Sequence, residues 1–421
     1  VLNAISNAFR IPDLRKKIIF TLAMIAVYRL GAYIPVPGVD VKAVQALVSG
    51  NAALGLLGLF SGGALEKFAV FSLGIMPYIT SSIIMQLLQG VIPKVEQWAK
   101  EGESGQRKIT QITRYMTLGI ALLQSIAMLG VFRQAISVPT GAGAPPQMFT
   151  NLVIVVTLIA GTAFIMWMGE LITQRGIGNG MSLLIFASIV SRFPAAIVQS
   201  FTFANGILTV TLLAMTIFIV AAIVTMERAQ RRIPVQYAKR VVGRRVYGGS
   251  GTYIPLKING ANVVPIIFAS AILFFPSQIA TLTGISWLQT LGNMLARGWL
   301  NWIMEFVLIV FFTYFYTALV FNPMDLSDNL RKNGGFIPGV RPGSATTRYI
   351  ENVLNRITLP GALFLGVIAV VPSMVFYTTN DPLVSAFGGT SILIMVGVAL
   401  ETMTQLESQL KMRHYDGFFK A

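Results

Sequence analysis

Apolar residues in this chain run in long uncharged blocks rather than in the one-faced patterns of a water-soluble fold. No Asp, Glu, Lys or Arg occurs in 134–169, 193–226, 258–296 or 357–380. A helix that spans a membrane needs about 20 apolar residues, so several blocks hold one span and some hold more. Together with the shorter runs between them they predict ten spans, at 18–36, 69–92, 114–133, 148–170, 181–201, 206–226, 261–283, 300–322, 355–377 and 385–406. The short alternating strands of an outer-membrane barrel are absent. The pattern therefore predicts an all-α polytopic membrane protein. Arg15, Lys16 and Lys17 precede a first apolar segment that runs on without an obvious cleavage site, so no cleavable signal is expected.

One apolar stretch does not fit the span length. Residues 54–68, LGLLGLFSGGALEKF, would make a helix only about 22 Å long. This stretch reads as a half-helix that enters the membrane and turns back, broken by Gly62 and Gly63. Composition agrees with the pattern. The 421 residues are 54% hydrophobic and 11% charged, against about 25% charged in an ordinary globular chain, and the mean hydropathy is +0.70.

The net charge of +16 has a location. All but six of the 32 Lys and Arg fall at the two termini and in the alternate loops after spans two, four, six and eight. The six on the other side are Arg29, Lys42, Lys67, Arg133, Arg192 and Arg297. Basic residues stay on the cytoplasmic side, which puts both termini in the cytoplasm, as an even number of spans requires.

Two of the cytoplasmic connections are more than charge. Loop 227–260 carries Arg228, Arg231, Arg232, Lys239, Arg240, Arg244, Arg245 and Lys257 against the single acid Glu227. Its alternation at Val246, Tyr247, Tyr253 and Ile254, with Gly248 and Gly249 between, predicts a hairpin in its second half. Loop 323–354 carries RKNGGFIPGVRPG, including Arg331, Lys332 and Arg341, too rich in Gly and Pro for a helix. Orientation and lipid headgroups account for scattered charge near the membrane. An ordered basic hairpin points instead to an acidic partner, either protein or RNA.

Several chemistries are excluded. The chain has no cysteine and one histidine, His414, outside every apolar block. Disulfides, thiolate metal sites and histidine-assisted catalysis inside the membrane have no residues to use. The cluster Gly176-Ile177-Gly178-Asn179-Gly180 lacks the Lys of a nucleotide-binding loop and reads as a turn into span five. Ionisable residues inside spans are few, with Arg29, Glu305 and Glu401 the nearest cases and Arg192 near an end. Glu305 and Glu401 read as span ends or one interhelical contact. A secondary transporter needs a coupling site at mid-membrane, so that class, the main alternative, is disfavoured. No cofactor is implied. Spans two and seven carry Gly74, Pro77, Thr80, Ser81, Ser82 and Gln86, and Pro265, Ser270 and Pro276. Proline there permits a kink, and the polar side chains are expected to bond neighbouring helices; ordinary bundle packing accounts for them equally well.

The stretches FSLGIMPYITSSIIMQLLQ, EGESGQRKITQITRY, RGIGNGMSLLIF and RRIPVQYAKRVVGRRVY closely resemble the bacterial SecY family. IPLKINGANVVPIIFAS, FIPGVRPG and FGGTSILI follow in that family's order, so the resemblance covers nearly the whole chain. It implies the pore-forming subunit of a protein-conducting channel. Unfolded preproteins would pass across it, and apolar segments would leave sideways. Two inverted five-helix halves, 18–201 and 206–406, would surround an hourglass pore between short cytoplasmic segments 1–17 and 407–421, hinged at about 200–207.

The resemblance also assigns roles. Ile75, Ile79, Ile185, Ile189, Ile267 and Ile394 match the constriction ring, although read alone they are ordinary core isoleucines. Leu56, Leu57, Leu59, Phe60, Ser61, Gly62, Gly63 and Leu65 match the plug. Thr80, Ser82, Gln86, Gln124 and Ser270 match the lateral gate that receives signal peptides. Arg231, Arg232, Lys239, Arg240, Arg244, Arg245, Arg331, Lys332 and Arg341 match the surface that docks the SecA motor ATPase or the ribosome, including its RNA. SecE and SecG are the small membrane subunits implied, with lipid around them.

Overall fold

The computed structural model describes residues 9, 11–50, 58, 61–136, 146–203, 206–237, 240–242, 245–247, 252–283, 290, 298–379 and 388–418. Helices account for most of them. In the first part of the chain these are α1 (Pro12–Gly31), α2 (Val41–Gly50), α3 (Met76–Val91), α4 (Pro93–Lys100), α5 (Glu103–Val131), α6 (Gln147–Arg175), α7 (Gly180–Val190) and α8 (Phe193–Phe203). The second part has α9 (Gly206–Arg228), α10 (Val264–Thr283), α11 (Trp299–Val320), α12 (Pro323–Lys332), α13 (Ser344–Thr379) and α14 (Gly389–Phe418).

Among the described residues, seven helices are long and apolar enough to cross a membrane: 103–131, 147–175, 180–202, 206–228, 299–332, 344–375 and 389–412. The other three expected spans fall short for different reasons. Every 18-residue stretch of α1 includes Arg15, Lys16 and Lys17. Expected span 69–92 is helical only from Met76, for 16 residues, because 70–75 form turns with Gly74 at φ +57°. In α10 the qualifying apolar piece is Val264–Leu273.

Other boundaries also differ. Span five is interrupted at Ser191–Arg192 between α7 and α8. α5, α13 and α14 run well beyond the apolar core into polar sequence, which hydropathy alone does not register. α13 continues through Pro360 and Pro372.

Side-chain caps explain two of the helix starts. Asn179 opens α7 by accepting from the N–H groups of Met181 and Ser182 at 3.1 and 3.4 Å. Asn322 does the same for Met324 at 3.0 Å, ahead of Pro323 in the first turn of α12. These are orphan donors that a side-chain oxygen satisfies. The expectation that the polar side chains of spans two and seven bond neighbouring helices is corrected for Thr80, Ser81, Ser82 and Gln86, which bond within α3. Thr80, Ser81, Thr113, Thr117 and Ser125 donate to the carbonyls of Met76, Pro77, Ile109, Thr113 and Ala121, each four residues back in the same helix. A hydroxyl bonded to its own helix leaves the helix surface apolar and close-packed.

α3, α5, α6 and α7 pack in succession, with α1 against α6 and α7. α10, α11, α13 and α14 form a second set, with α9 against α14. The sets meet where α10 contacts α3 and α5, and where α14 contacts α7. At the connection between them Ser200 and Thr209, both buried, are joined by a 3.1 Å hydroxyl bond.

Glycine allows the closest approaches. A Cβ on Gly180 would strike the carbonyl oxygen of Gly169, and one on Gly389 the carbonyl of Ala369. Gly119, in the middle of α5, has open space around it. Gly180→Ala should therefore destabilise the protein by about 1–3 kcal/mol through overpacking. Gly119→Ala should stabilise it by about 0.5–1 kcal/mol through helix propensity. Thermal unfolding of the detergent-solubilised variants checks both; equal effects would contradict the packing described for α6 and α7.

Candidate functional site

Five of the six singled-out isoleucines are buried in one apolar cluster: Ile75, Ile79, Ile185, Ile189 and Ile394, all at most 6% exposed. Ile267 packs against the same cluster and is partly buried. They come from four elements, the turn into α3 together with α3 itself, α7, α10 and α14, so residues far apart in the chain converge. Spacing of four places Ile75 with Ile79, and Ile185 with Ile189, on one side of their helices. The six isoleucine side chains themselves offer branched hydrocarbon and no hydrogen-bonding group.

The segment 61–68 lies against it. The described part of the expected half-helix is not helical: Gly58 is helical, and 61–68 form consecutive turns. The cause is local, since Gly62 and Gly63 take φ +62° and +86°, a conformation open to glycine, and Phe68 also has positive φ at 43°. Leu56, Leu57, Leu59 and Phe60 lie outside the described residues. Ser61 fastens the first turn, donating to Gly58 O at 3.1 Å and accepting from Leu65 N–H at 3.2 Å. Ser72 donates to the carbonyls of Ala64 and Ala69.

Gly62 is seated on α7. A Cβ built there would lie 3.0 Å from Ser188 Cα, one residue from Ile189. Ser188 is itself held by Tyr28 of α1, hydroxyl to hydroxyl, at 2.6 Å. Ala64 and Ala69 belong to the isoleucine cluster, whereas Leu65 and Phe68 belong to a second one with Val36, Phe132, Ile154 and Leu158. The turn segment thus bridges the isoleucine cluster and a cap of apolar residues from α2, α5, α6 and the loop before α2.

Two of the six cations on the sparsely charged side reach this segment. Arg29 Nη1 donates to the carbonyl of Gly62 at 3.0 Å. Arg192, in the break between α7 and α8, pairs with Glu66. The signal for them was present: basic residues at span ends on the side that otherwise lacks them. Their partners were not legible, because they sit 33 and 126 residues away.

The expected gate residues lie on α3, α5 and α10, and α10 packs against both of the others. Thr80 bonds within its own helix, and Gln86 Nε2 reaches Ser82 Oγ at 3.4 Å, one turn back. Gln86 Oε1 is buried with no partner among the described residues. Ser270 is buried on α10. An unplanned link braces the neighbouring pair: Arg114 of α5 holds Glu170 of α6 through Nε at 2.7 Å and Nη2 at 2.5 Å, the bidentate geometry that fixes orientation.

The basic loops fold together. Strand β1 (Gln230–Tyr237) pairs antiparallel with β4 (Thr252–Lys257), which sets Ile233 opposite Ile254 and Pro234 opposite Tyr253. An inner ladder joins β2 (Arg240–Val242) to β3 (Arg245–Tyr247). The expected hairpin is corrected in register: Val246 and Tyr247 face β2, and Tyr253 and Ile254 face β1. β1 also pairs with β5 (Gly335–Phe336) of the other loop, Gln236 opposite Phe336.

Ile233, Val235 and Leu256 turn inward onto Leu330, Ile337, Ile350 and Leu354. Period-two alternation then sends Arg232 outward, where its guanidinium stacks 4.8 Å from the Tyr253 ring centre. Arg231, Arg331, Lys332 and Arg341 are exposed, Arg331 being 3.7 Å from Asp328. Lys239 and Arg244 lie outside the described residues, and of Arg240 and Arg245 only the backbone pairing is described. Arg341 sits in a turn between Gly339 at φ +82° and Gly343 at +109°, with its carbonyl accepting from Thr346 Oγ1 at 2.9 Å.

Comparison with known proteins bears on the whole chain. A family profile described as SecY matches residues 69–403. The protein translocase subunit SecY of Streptomyces galbus is 50% identical over 447 aligned residues, with 100% of both chains covered. That of Mycobacterium bovis is 46% identical over 448, again covering 100% of both. A SecY structure titled for a plug domain that stabilises the closed translocation channel superimposes with TM-score 0.63 at 16% identity, covering 96% of both chains. Sec61 from the canine ribosome-channel complex of the endoplasmic reticulum superimposes with TM-score 0.57 at 15% identity, with the same coverage. Matched along its full length by relatives 46–50% identical to it, the chain belongs to the SecY family, the multi-pass, non-enzymatic pore subunits of the protein-conducting channel.

Proposed function

We propose that the chain passes unfolded secretory polypeptides across the bacterial cytoplasmic membrane, closes when idle, and opens sideways to release apolar segments into lipid. In this reading ten helices span the membrane, the seven apolar ones together with α1, α3 and α10. They form two inverted halves around an hourglass pore, with both termini cytoplasmic. The six isoleucines are its constriction, the segment around 58–68 its plug, and the contact of α10 with α3 and α5 its lateral gate.

The observation that carries the reading is the glycine turn at 62–63 packed on Ser188, directly beside the cluster of Ile185 and Ile189. A constriction of branched aliphatics excludes water and ions by dewetting. It also yields to a passing chain without offering a hydrogen bond that would hold one sequence over another. The gate seam supports lateral release: Thr80, Ser82 and Gln86 bond within α3, so parting α10 from α3 leaves those bonds intact. Gln86, on α3, has a buried carbonyl oxygen lacking a partner among the described residues, which an entering peptide N–H would satisfy.

No residue set supplies energy, so a partner must drive transport. The sheet β4–β1–β5, which joins both basic loops, is the docking surface for the SecA motor ATPase or a ribosome, and SecE and SecG complete the membrane complex. Arg341 is held by its glycine-flanked turn for bidentate contact with a carboxylate or phosphate. Because it lies outside the apolar cores, its reversal should spare folding.

Arg341→Glu should cut motor-driven preprotein uptake into inverted membrane vesicles by at least about tenfold, the loss of one close charge-assisted contact. Its membrane level should be unchanged, and normal uptake would remove the role. Ile394→Asn or Ile79→Asn should wet the constriction and raise ion conductance of the idle channel about tenfold. Conductance and signal selectivity at the original level in planar bilayers would mean that these residues do not form the seal.

A further inference from the structure

Three of the six cations on the sparsely charged side gather on one short segment. Arg29 donates to the carbonyl of Gly62. Lys67 Nζ stands 3.2 Å from the centre of the Tyr33 ring, which also lies 5.5 Å from the Arg29 guanidinium carbon. Arg192 pairs with Glu66, and its Nη2 lies 3.1 Å from where a Cβ on Gly58 would be.

The segment's own backbone makes these contacts necessary. Positive φ at Gly62 and Gly63 takes the chain out of helix, and the Gly62 carbonyl, which a helix would satisfy, is satisfied by Arg29. Arg192 can reach because span five breaks at Ser191–Arg192. There its N–H bonds Ile189 O at 3.1 Å, and its carbonyl accepts from Ala196 at 3.0 Å. Glu66 lies one residue past Leu65, whose N–H is pinned to Ser61. Both sides of the ion pair are therefore held by backbone geometry, and neither belongs to an apolar core: the Glu66 side chain is 43% exposed and that of Arg192 21%.

We propose that Glu66–Arg192, together with Arg29 on the Gly62 carbonyl, is a two-point electrostatic latch. It ties the plug to α7 and α1 and sets the threshold at which a signal sequence opens the channel. The inference rests on the plug reading of this segment. Arg192 and Glu66 are positioning residues: they touch no translocating chain in the closed state and act through where they hold 61–66. An arriving apolar segment that parts α10 from α3 gains lateral exposure to lipid, but the pore conducts only once the turn leaves Ser188, which requires both contacts to break. A weaker latch lets weaker signals through.

The test is a charge cycle in reconstituted proteoliposomes that contain the full translocase. Two quantities are read: idle ion conductance, and uptake of a preprotein with a defective signal sequence. Glu66→Gln and Arg192→Gln should each raise both about fivefold, as expected for loss of one partly exposed ion pair. The double variant should be no leakier than either single, and the exchange Glu66→Arg with Arg192→Glu should return both readouts to within about twofold of the original.

Unchanged single variants, or additive singles with no rescue by the exchange, would overturn the latch. Uptake of a preprotein with an intact signal, measured in parallel, reports on the channel itself. If the unaltered protein takes up none, the conduit reading fails; if uptake is normal and the charge cycle is flat, the latch alone fails.

Discussion

Polar backbone inside a membrane has to find a partner within the protein, since lipid offers none. This chain meets that demand mostly inside each helix. Hydroxyls at Thr80, Ser81, Thr113, Thr117 and Ser125 bond back to carbonyls of their own turn, so the faces that meet are hydrocarbon and glycine. The stretch from 61 to 75 is the exception, a run of turns deep in the molecule. Its groups are satisfied by short turn bonds such as Ala64 N–H to Ser61 O and Phe68 N–H to Leu65 O, by Ser61, Ser72 and Arg29, and by the exchange of Val36 N–H to Phe68 O and Val70 N–H to Ile34 O. Irregular backbone at that depth survives only where protein encloses it or where it lines a cavity. This run lies beside the isoleucine cluster, with Gly62 against Ser188, which is why the proposed function gives it the part of the closure.

The two basic loops obey a different rule. In water the strands β1 and β4 need one buried face, and they find it on α12 and the start of α13, through Ile233, Val235, Leu256, Leu330 and Ile350. The consequence is that basic residues from two loops share one scaffold, with their charged groups on the outer side. A rigid basic platform on one side and an apolar seam at the other set of contacts divide the work. In the function proposed here, energy and direction enter through the platform, and selectivity resides in the seam and the turn beside it.

Much of this was legible in the sequence, and the reason is physical. A spanning helix is specified by composition over some twenty residues, so the uncharged blocks at 134–169, 193–226, 258–296 and 357–380 each contain or border helices that are found. Boundaries were less legible. α13 begins at Ser344 and α5 at Glu103 because helix formation does not stop where hydropathy falls. Nor does apolarity reveal that 70–75 are turns or that span five breaks at Ser191–Arg192. The hairpin register was missed because alternation at Val246 and Tyr247 fits a partner on either side. Arg29 and Arg192 stood out as misplaced cations, but a partner 126 residues away has no mark in the chain.

The central claim is that a polypeptide passes through the isoleucine cluster. The chain has no cysteine, so Ile79→Cys introduces the only thiol. A secretory preprotein carrying one cysteine, stalled during transport in membranes with the motor ATPase and ATP, should then form a disulfide with position 79 on oxidation. The bond should require both ATP and a working signal sequence. A stalled chain that forms no adduct with Ile79→Cys, Ile185→Cys or Ile267→Cys would mean that its path lies elsewhere and would contradict the account.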